Sequence, residues 1–244
     1  MAEKLILQKN AIKNFYYIDK FIYTKVEKEK NLVLVFEMGS NEINYIKKKL
    51  TGKNSNNLSI VISGWPAVGK TTIAENIANN FNLKLWNGGD ILKMMAFERG
   101  YSSSLNHDWW DTEEAQSFMN TRNNDPCFDK EVDNRLIDLA NKGNVVITSY
   151  TLPWISDSTI NFWLHGSVEN RAKRMAMRDN INLIDAKKIV QRRDDENRNI
   201  YKKIYNFDFG QRLDVFDFAL NTDLLSLDSL MDLSIKIIEK ILSS

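Results

Sequence analysis

The chain has 244 residues, 43% hydrophobic and 27% charged, with a net charge of +1, the composition of an ordinary soluble globular protein with one large domain, or one domain and a small extension. Its longest apolar run, LVLVF at 32–36, falls far short of the roughly 20 residues that span a bilayer, and MAEKLILQKNAIKNF at the start lacks the sustained apolar core and cleavage site of a signal peptide. Cys127 is the only cysteine, so an intrachain disulfide and a cysteine-based metal site are both excluded, and a cytoplasmic location without a membrane segment is expected.

Residues 1–54 hold 11 Lys and 6 Asp/Glu, a balance of +5, against −4 for the remainder. This asymmetry, with the polar linker TGKNSNN at 51–57, marks a boundary. Within the basic unit, NFYYIDKFIYTKV (14–26) and NLVLVFEM (31–38) read as strands, and SNEINYIKKKL (40–50) as a short helix capped by Ser40. About 50 residues is marginal for an independent core. The unit therefore suits packing on the main domain or on a protein partner, or contact with nucleic acid.

From Leu58 onward the pattern alternates between strand and helix. Strands are expected at 58–63, 83–86, 144–150, 159–166 and 215–222. Helices are expected at 70–81, 89–100, 111–123, 128–143, 167–179, 183–205 and 224–244. Five strands alternating with helices imply an α/β fold, a parallel sheet covered on both faces.

VISGWPAVGKTTIAENIA at 61–78 contains Gly-x-x-x-x-Gly-Lys-Thr between a buried strand and a helix. In that setting the backbone amides of Gly64, Trp65, Pro66, Ala67, Val68 and Gly69 form a turn that lets N–H groups approach phosphate oxygens (Pro66, without an N–H, stiffens the turn), and the helix presents its positive end to the anion. Lys70 is placed to bridge β- and γ-phosphates, the Thr71 hydroxyl to ligate Mg²⁺, and Thr72 follows within the site.

The flanking sequence is more specific. The run from VISGWPAVGK through NGGDILKMMAFERG, then DPCFDKEVDNRLIDLANKGNVVI, ENRAKRMAMRD, RRDDENRNIYKKIYNFDF and VFDFALNT, closely resembles the archaeal-type cytidylate kinases over about residues 58–223. The resemblance implies a P-loop NTPase core with a five-stranded parallel sheet flanked by helices over 58–244, a helical lid at about 174–205, and a small α+β N-terminal extension at 1–54. ATP with Mg²⁺ would then donate its γ-phosphoryl group to a nucleoside monophosphate, CMP or dCMP first and UMP next. Such a transfer needs positioned reactants and concentrated positive charge rather than covalent chemistry. At family positions, Arg174, Arg178 and Arg193 are implied to act with Lys70 in catalysis. Arg171 joins Arg174 and Arg178 at helical spacing on one face, whereas Arg192 fits a solvated basic face equally well. Asp90, Lys93, Asp133, Arg135 and Arg198 are implied to contact the acceptor.

The sequence departs from the family pattern in three places. Gly-Asp-x-x-Arg becomes GDILK, so Lys93 replaces a bidentate arginine with a point charge. The Glu-Gly-Arg that ends the third strand becomes Thr148, Ser149 and Tyr150; metal support would then fall to Thr71, with Asp90 as a second candidate. The lid pattern Arg-x3-acid-x2-Arg gives Asn197 and Ile200 when counted from Arg193, or keeps only its second half as Asp195-x2-Arg198. The donor side is thus intact and the acceptor side remodelled. Two alternatives remain open: a kinase of the same core with another small-molecule acceptor, and a nucleotide-binding regulatory module whose first 54 residues bind RNA, DNA or a protein. Trp109 and Trp110 suit core packing or stacking on a base, Asn221 and Thr222 lie where an adenine would approach, and His107 and His165 lack partners at metal spacing.

Overall fold

The structure, a computed structural model, describes residues 58–101, 109, 112–124, 127–211 and 213–243. The elements expected in 1–54, together with His107 and Trp110, lie outside these residues. The described residues form five parallel strands, β1 (Ser59–Gly64), β2 (Lys84–Asn87), β3 (Val145–Thr148), β4 (Ile160–His165) and β5 (Phe218–Asn221), in the order β2-β3-β1-β4-β5. Around them lie α1 (Lys70–Phe81), α2 (Gly88–Glu98), α3 (Glu113–Asn124), α4 (Cys127–Lys142), α5 (Leu152–Ile155), α6 (Val168–Asp179), α7 (Leu183–Tyr205) and α8 (Leu227–Ser243).

The central strand explains the layering. Every residue of SIVISG is buried, as a parallel strand covered on both faces requires. Ile60 and Ile62 pack with Ile73 and Ile77 of α1 and with Ile237 and Ile238 of α8. Val61 joins Ile91 and Met95 of α2, Leu136 of α4 and Ile147 of β3, because successive side chains leave a strand on opposite faces. Trp109, 1% exposed, belongs to this second core and donates its indole N–H to Glu114, so the core reading of Trp109 holds.

Two strands are three or four residues shorter than expected. The run at 144–150 stops at Thr148 because the Ser149 hydroxyl accepts hydrogen bonds from the Thr151 and Leu152 amides, turning the chain into α5, a helix the sequence pattern did not signal. The run at 215–222 pairs with β4 only from Phe218, since Phe216 N–H bonds back to the Leu213 carbonyl. A side chain that captures nearby backbone amides competes with the sheet ladder.

Beyond the carboxyl ends of the strands, α6 and α7 form an antiparallel hairpin. Asn180 closes α6 in a left-handed conformation, and the Asn182 side chain caps α7. Ala172, Met175, Ala186 and Val190 make its seam. An aromatic floor lies between the hairpin and the sheet: Phe207 stacks on Trp154 at 4.4 Å, and Phe209 sets its edge against Trp65 and Trp163.

Candidate active site

The glycine loop lies between β1 and α1 at the carboxyl edge of the sheet, where open α/β sheets bind ligands. A Cβ at Gly64 would meet the Leu164 carbonyl oxygen at 2.2 Å, so β4 itself demands glycine there. Ala67 and Gly69 both adopt positive φ, and nothing lies within 4 Å of a Cβ built on Gly69. Helix α1 has no side-chain cap and no acidic residue in its first turn. Its first amides and its dipole are therefore directed at open space in front of the loop, a fit for a polyphosphate.

Lys70 Nζ donates to the carbonyls of Gly64 and Trp65 at 3.1 and 2.8 Å, and sits 4.6 Å above the centre of the Tyr150 ring. Burial, then the positive charges of Arg193 and Arg171, push this ammonium down to about 7, with Asp194 pulling the other way. Lysine shifts readily in such surroundings. Thr71 is exposed beside it. Among the described residues no group of three or more His, Cys, Asp or Glu side chains is placed to hold a metal. The exposed Thr71 hydroxyl at the start of α1 is an oxygen donor of the kind Mg²⁺ accepts.

The arginines expected on one helical face have three different environments. Arg171, 2% exposed, makes a bidentate pair with Asp194 of α7 at 2.8 and 2.6 Å and also donates to the carbonyls of Gly166 and Pro66. It thereby clamps the hairpin to the glycine loop. Arg174 donates to the Thr222 hydroxyl at 2.8 Å and to the Thr222 carbonyl, at the end of β5. Arg178 is exposed at the hairpin tip and pairs with Asp179. On α7, Arg193 is half-buried close to Lys70 and Tyr150. Arg198 pairs with Asp195 and lies 4.8 Å over the Trp65 ring, and exposed Arg192 faces Glu196 at 3.6 Å. The solvated reading of Arg192 fits, whereas Asp194 two residues on is buried.

On the acceptor side, Asp90 closes a capping box at the start of α2: its carboxylate accepts from the Asn87 amide and side chain, and Asn87 caps in return. Lys93 is half-buried one turn further on the same helix. Asp133, on α4, accepts hydrogen bonds from Thr151 and Tyr205, joining α4 to the loop after β3 and to the end of α7. Burial and the facing Asp133 hold the Tyr205 phenol well above its usual range. Arg135 makes a two-pronged pair with Glu98 that braces α4 against α2, and an i,i+4 pair with Glu131 within α4. Arg135 is therefore an inter-helix brace on this face. His165, beside Asp223 and Arg171, is held below its usual range chiefly by burial.

The sequence profile of the cytidylate kinase-like family matches residues 59–224. The chain belongs to the cytidylate kinase-like family. A cytidylate kinase of Pyrobaculum aerophilum is 34% identical over 178 residues, covering 72% of this chain and 90% of the relative. A cytidylate kinase of Staphylothermus marinus is 32% identical over 185 residues, covering 75% and 97%. In structure, an uncharacterised protein from Eubacterium ventriosum shares the fold with a TM-score of 0.55 at 17% identity, over 76% of this chain and 99% of its own. No helix among the described residues is long and apolar enough to cross a membrane.

Sequence reasoning did not find the Arg171–Asp194 clamp, the Arg198–Trp65 contact, the role of Tyr150 beneath Lys70, or Gly210. A Cβ at Gly210, where φ is +76°, would lie 2.1 Å from Cζ2 of Trp65. Gly210→Ala is thus expected to unseat the loop's tryptophan, lowering stability by about 1–3 kcal/mol and weakening ATP binding. Thermal denaturation and equilibrium nucleotide binding check both effects; unchanged values for the two would show that Trp65 has other room.

Proposed function

We propose that the chain is an ATP-dependent nucleoside monophosphate kinase whose acceptor is CMP or dCMP, with UMP next. Family membership supports the class. The observation that carries the choice of a phosphate acceptor over a hydroxyl acceptor is the state of the carboxylates. Asp90 serves as the cap of α2, Asp133 is tied to Thr151 and Tyr205, and positions 148–150 carry no acid. A hydroxyl acceptor must lose a proton to a positioned base. A nucleoside monophosphate brings an oxyanion that is already formed at neutral pH, since its second pKa is near ~6, and needs no base.

The loop amides and the end of α1 hold the β- and γ-phosphates, and the Lys70 ammonium neutralises charge on the moving group. The Thr71 hydroxyl would hold Mg²⁺, which would supply further neutralisation of phosphate charge. An acceptor phosphate oxygen attacks the γ-phosphorus, the bond to the ADP oxygen breaks, and Arg193 and Arg174 face the transferring group from the hairpin, which serves as a lid. Closure excludes water and limits ATP hydrolysis. Purified protein with Mg-ATP should convert CMP to CDP faster than it hydrolyses ATP alone; if no nucleoside monophosphate accelerates ADP formation, the assignment fails.

Lys93 is the acceptor-side cation in this reading. Lys93→Ala is expected to raise the KM for CMP about tenfold, on the scale of one lost charge-assisted hydrogen bond, while ATP binding stays within twofold. Steady-state kinetics with each substrate varied checks this. An unchanged KM for CMP would remove Lys93 from the site. One observation favours a second reading, a different small-molecule acceptor: the Ser149 hydroxyl is engaged within its own turn where the family carries Glu-Gly-Arg. Screening other phosphorylated and hydroxylated acceptors separates the two.

A further inference from the structure

Tyr150 follows the shortened strand β3 and touches three parts of the site. Its ring lies under Lys70, with Nζ 4.6 Å from the ring centre. Its hydroxyl is approached by the side chains of Arg193 and Asn197 on α7, both of which act on it as hydrogen-bonding groups. The ring also packs on the aromatic floor, with Phe209 at 5.7 Å edge-on and Tyr201 at 6.1 Å, and Phe209 continues to Trp65 in the glycine loop. The ring is thus fixed before any nucleotide arrives.

A lysine side chain is a flexible stem bearing a compact charge with three donors. Here two directions of the ammonium are defined by the Gly64 and Trp65 carbonyls, and the aromatic face below defines the remaining approach. A negative ring face also offsets the crowding of Lys70 by Arg193 and Arg171, the two cations whose charge acts on it. The hydroxyl oxygen meanwhile gives Arg193 a neutral acceptor. That guanidinium is therefore oriented by a neutral group and can offer its charge to a phosphoryl group.

We propose that Tyr150 is a positioning residue for phosphoryl transfer, its ring seating the Lys70 ammonium and its hydroxyl setting the Arg193 guanidinium when α7 is docked. This rests on the reading of the chain as a nucleoside monophosphate kinase. Tyr150 thereby takes a place that the family gives to charged residues, and links the glycine loop to the hairpin through one side chain.

The test uses the full chain, three Tyr150 variants, and Arg193→Lys and Lys70→Arg as references. Tyr150→Phe keeps the ring and loses the hydroxyl; kcat for CMP-dependent ADP formation is expected to fall about tenfold, as for one lost hydrogen bond to a charged group, with the KM for ATP within twofold. Tyr150→Leu removes the ring as well; kcat is expected to fall on the order of 100-fold, and the Lys70 side-chain NMR resonance, assigned through Lys70→Arg, should lose its upfield ring-current shift. In the double variant Tyr150→Phe, Arg193→Lys, the loss should be no greater than that of Arg193→Lys alone, because the hydroxyl acts through Arg193. Wild-type kcat in Tyr150→Phe, or losses that multiply in the double variant, would overturn the role. If Tyr150→Leu does not fold, Tyr150→Phe and the double variant decide. A wild-type chain that phosphorylates no nucleoside monophosphate overturns the kinase reading and this role with it, whereas an active wild type with an unaffected Tyr150→Phe overturns the role alone.

Discussion

Lys70→Ala is expected to lower turnover by 10²-fold or more, the scale of a lost electrostatic stabiliser at the transferring group, with a smaller loss of ATP affinity because the loop amides and the end of α1 still hold the phosphates. The same ammonium gives ATP binding a pH dependence of predictable sign. It titrates at about 7 without ligand because of burial and of Arg193 and Arg171. Polyphosphate favours the charged form, so binding above pH 7 must take up a proton. ATP affinity should fall as pH rises from 7 to 9, by at most tenfold per unit, and calorimetry in buffers of different ionisation enthalpy should register that uptake. In Lys70→Ala both signals should vanish; an equal pH dependence in that variant would place the titrating group elsewhere. Folding stability follows with the opposite trend. The folded value lies below the ordinary 10.5, so the unfolded chain binds more protons between pH 7 and 10.5, and the contribution of this group makes the fold more stable as pH rises through that window.

Asp194→Ala is expected to cost the fold about 3–5 kcal/mol, because it leaves Arg171 charged and unpaired in a site where it is only 2% exposed. For a domain of this size that is a fall in Tm on the order of 10 °C. Adding Arg171→Met should recover part of the loss, since a buried ion pair replaced by apolar groups is often near neutral; recovery should be incomplete, as the Gly166 and Pro66 carbonyls lose their donor. Because Pro66 lies in the glycine loop, both variants should also weaken ATP binding. Melting curves for the single and double variants decide the matter: a Tm for Asp194→Ala within 2 °C of wild type would mean that the clamp carries little of the stability.

The glycine loop and the strand–helix alternation were legible because they are local. A buried strand, a Gly-rich turn and a helix start each occupy a few adjacent residues, and the five strands fall where the apolar runs are. The site's wiring was less legible because its partners are far apart in sequence. Arg171, Arg174 and Arg178 share a helical face by spacing, but Asp194, Thr222 and Asp179 draw them into a buried clamp, a strand-end contact and an exposed pair. Arg135 is drawn to Glu98, 37 residues away. Asp90 matches the family motif, and its capping box was equally present in the Asn87-to-Asp90 spacing, a signal that a reading for function passes over. Gly210 carried no signal at all, since its reason is the Trp65 ring.

Helix α7 is held from Arg193 onward, most firmly at Asp194 by Arg171 and at its end, where Tyr205 bonds Asp133. A rod held at two points cannot turn about either one. Only the overhang from Leu183 to Arg193 is free to bend, roughly 16 Å at ~1.5 Å per residue, and a bend of about 20° there would carry the turn between the two helices through roughly 6 Å. The hairpin is in this sense a cantilever: how far its tip travels is governed by the bending stiffness of the Ala172, Met175, Ala186 and Val190 seam, and larger or looser side chains at those four positions would change its reach without touching a single phosphate ligand.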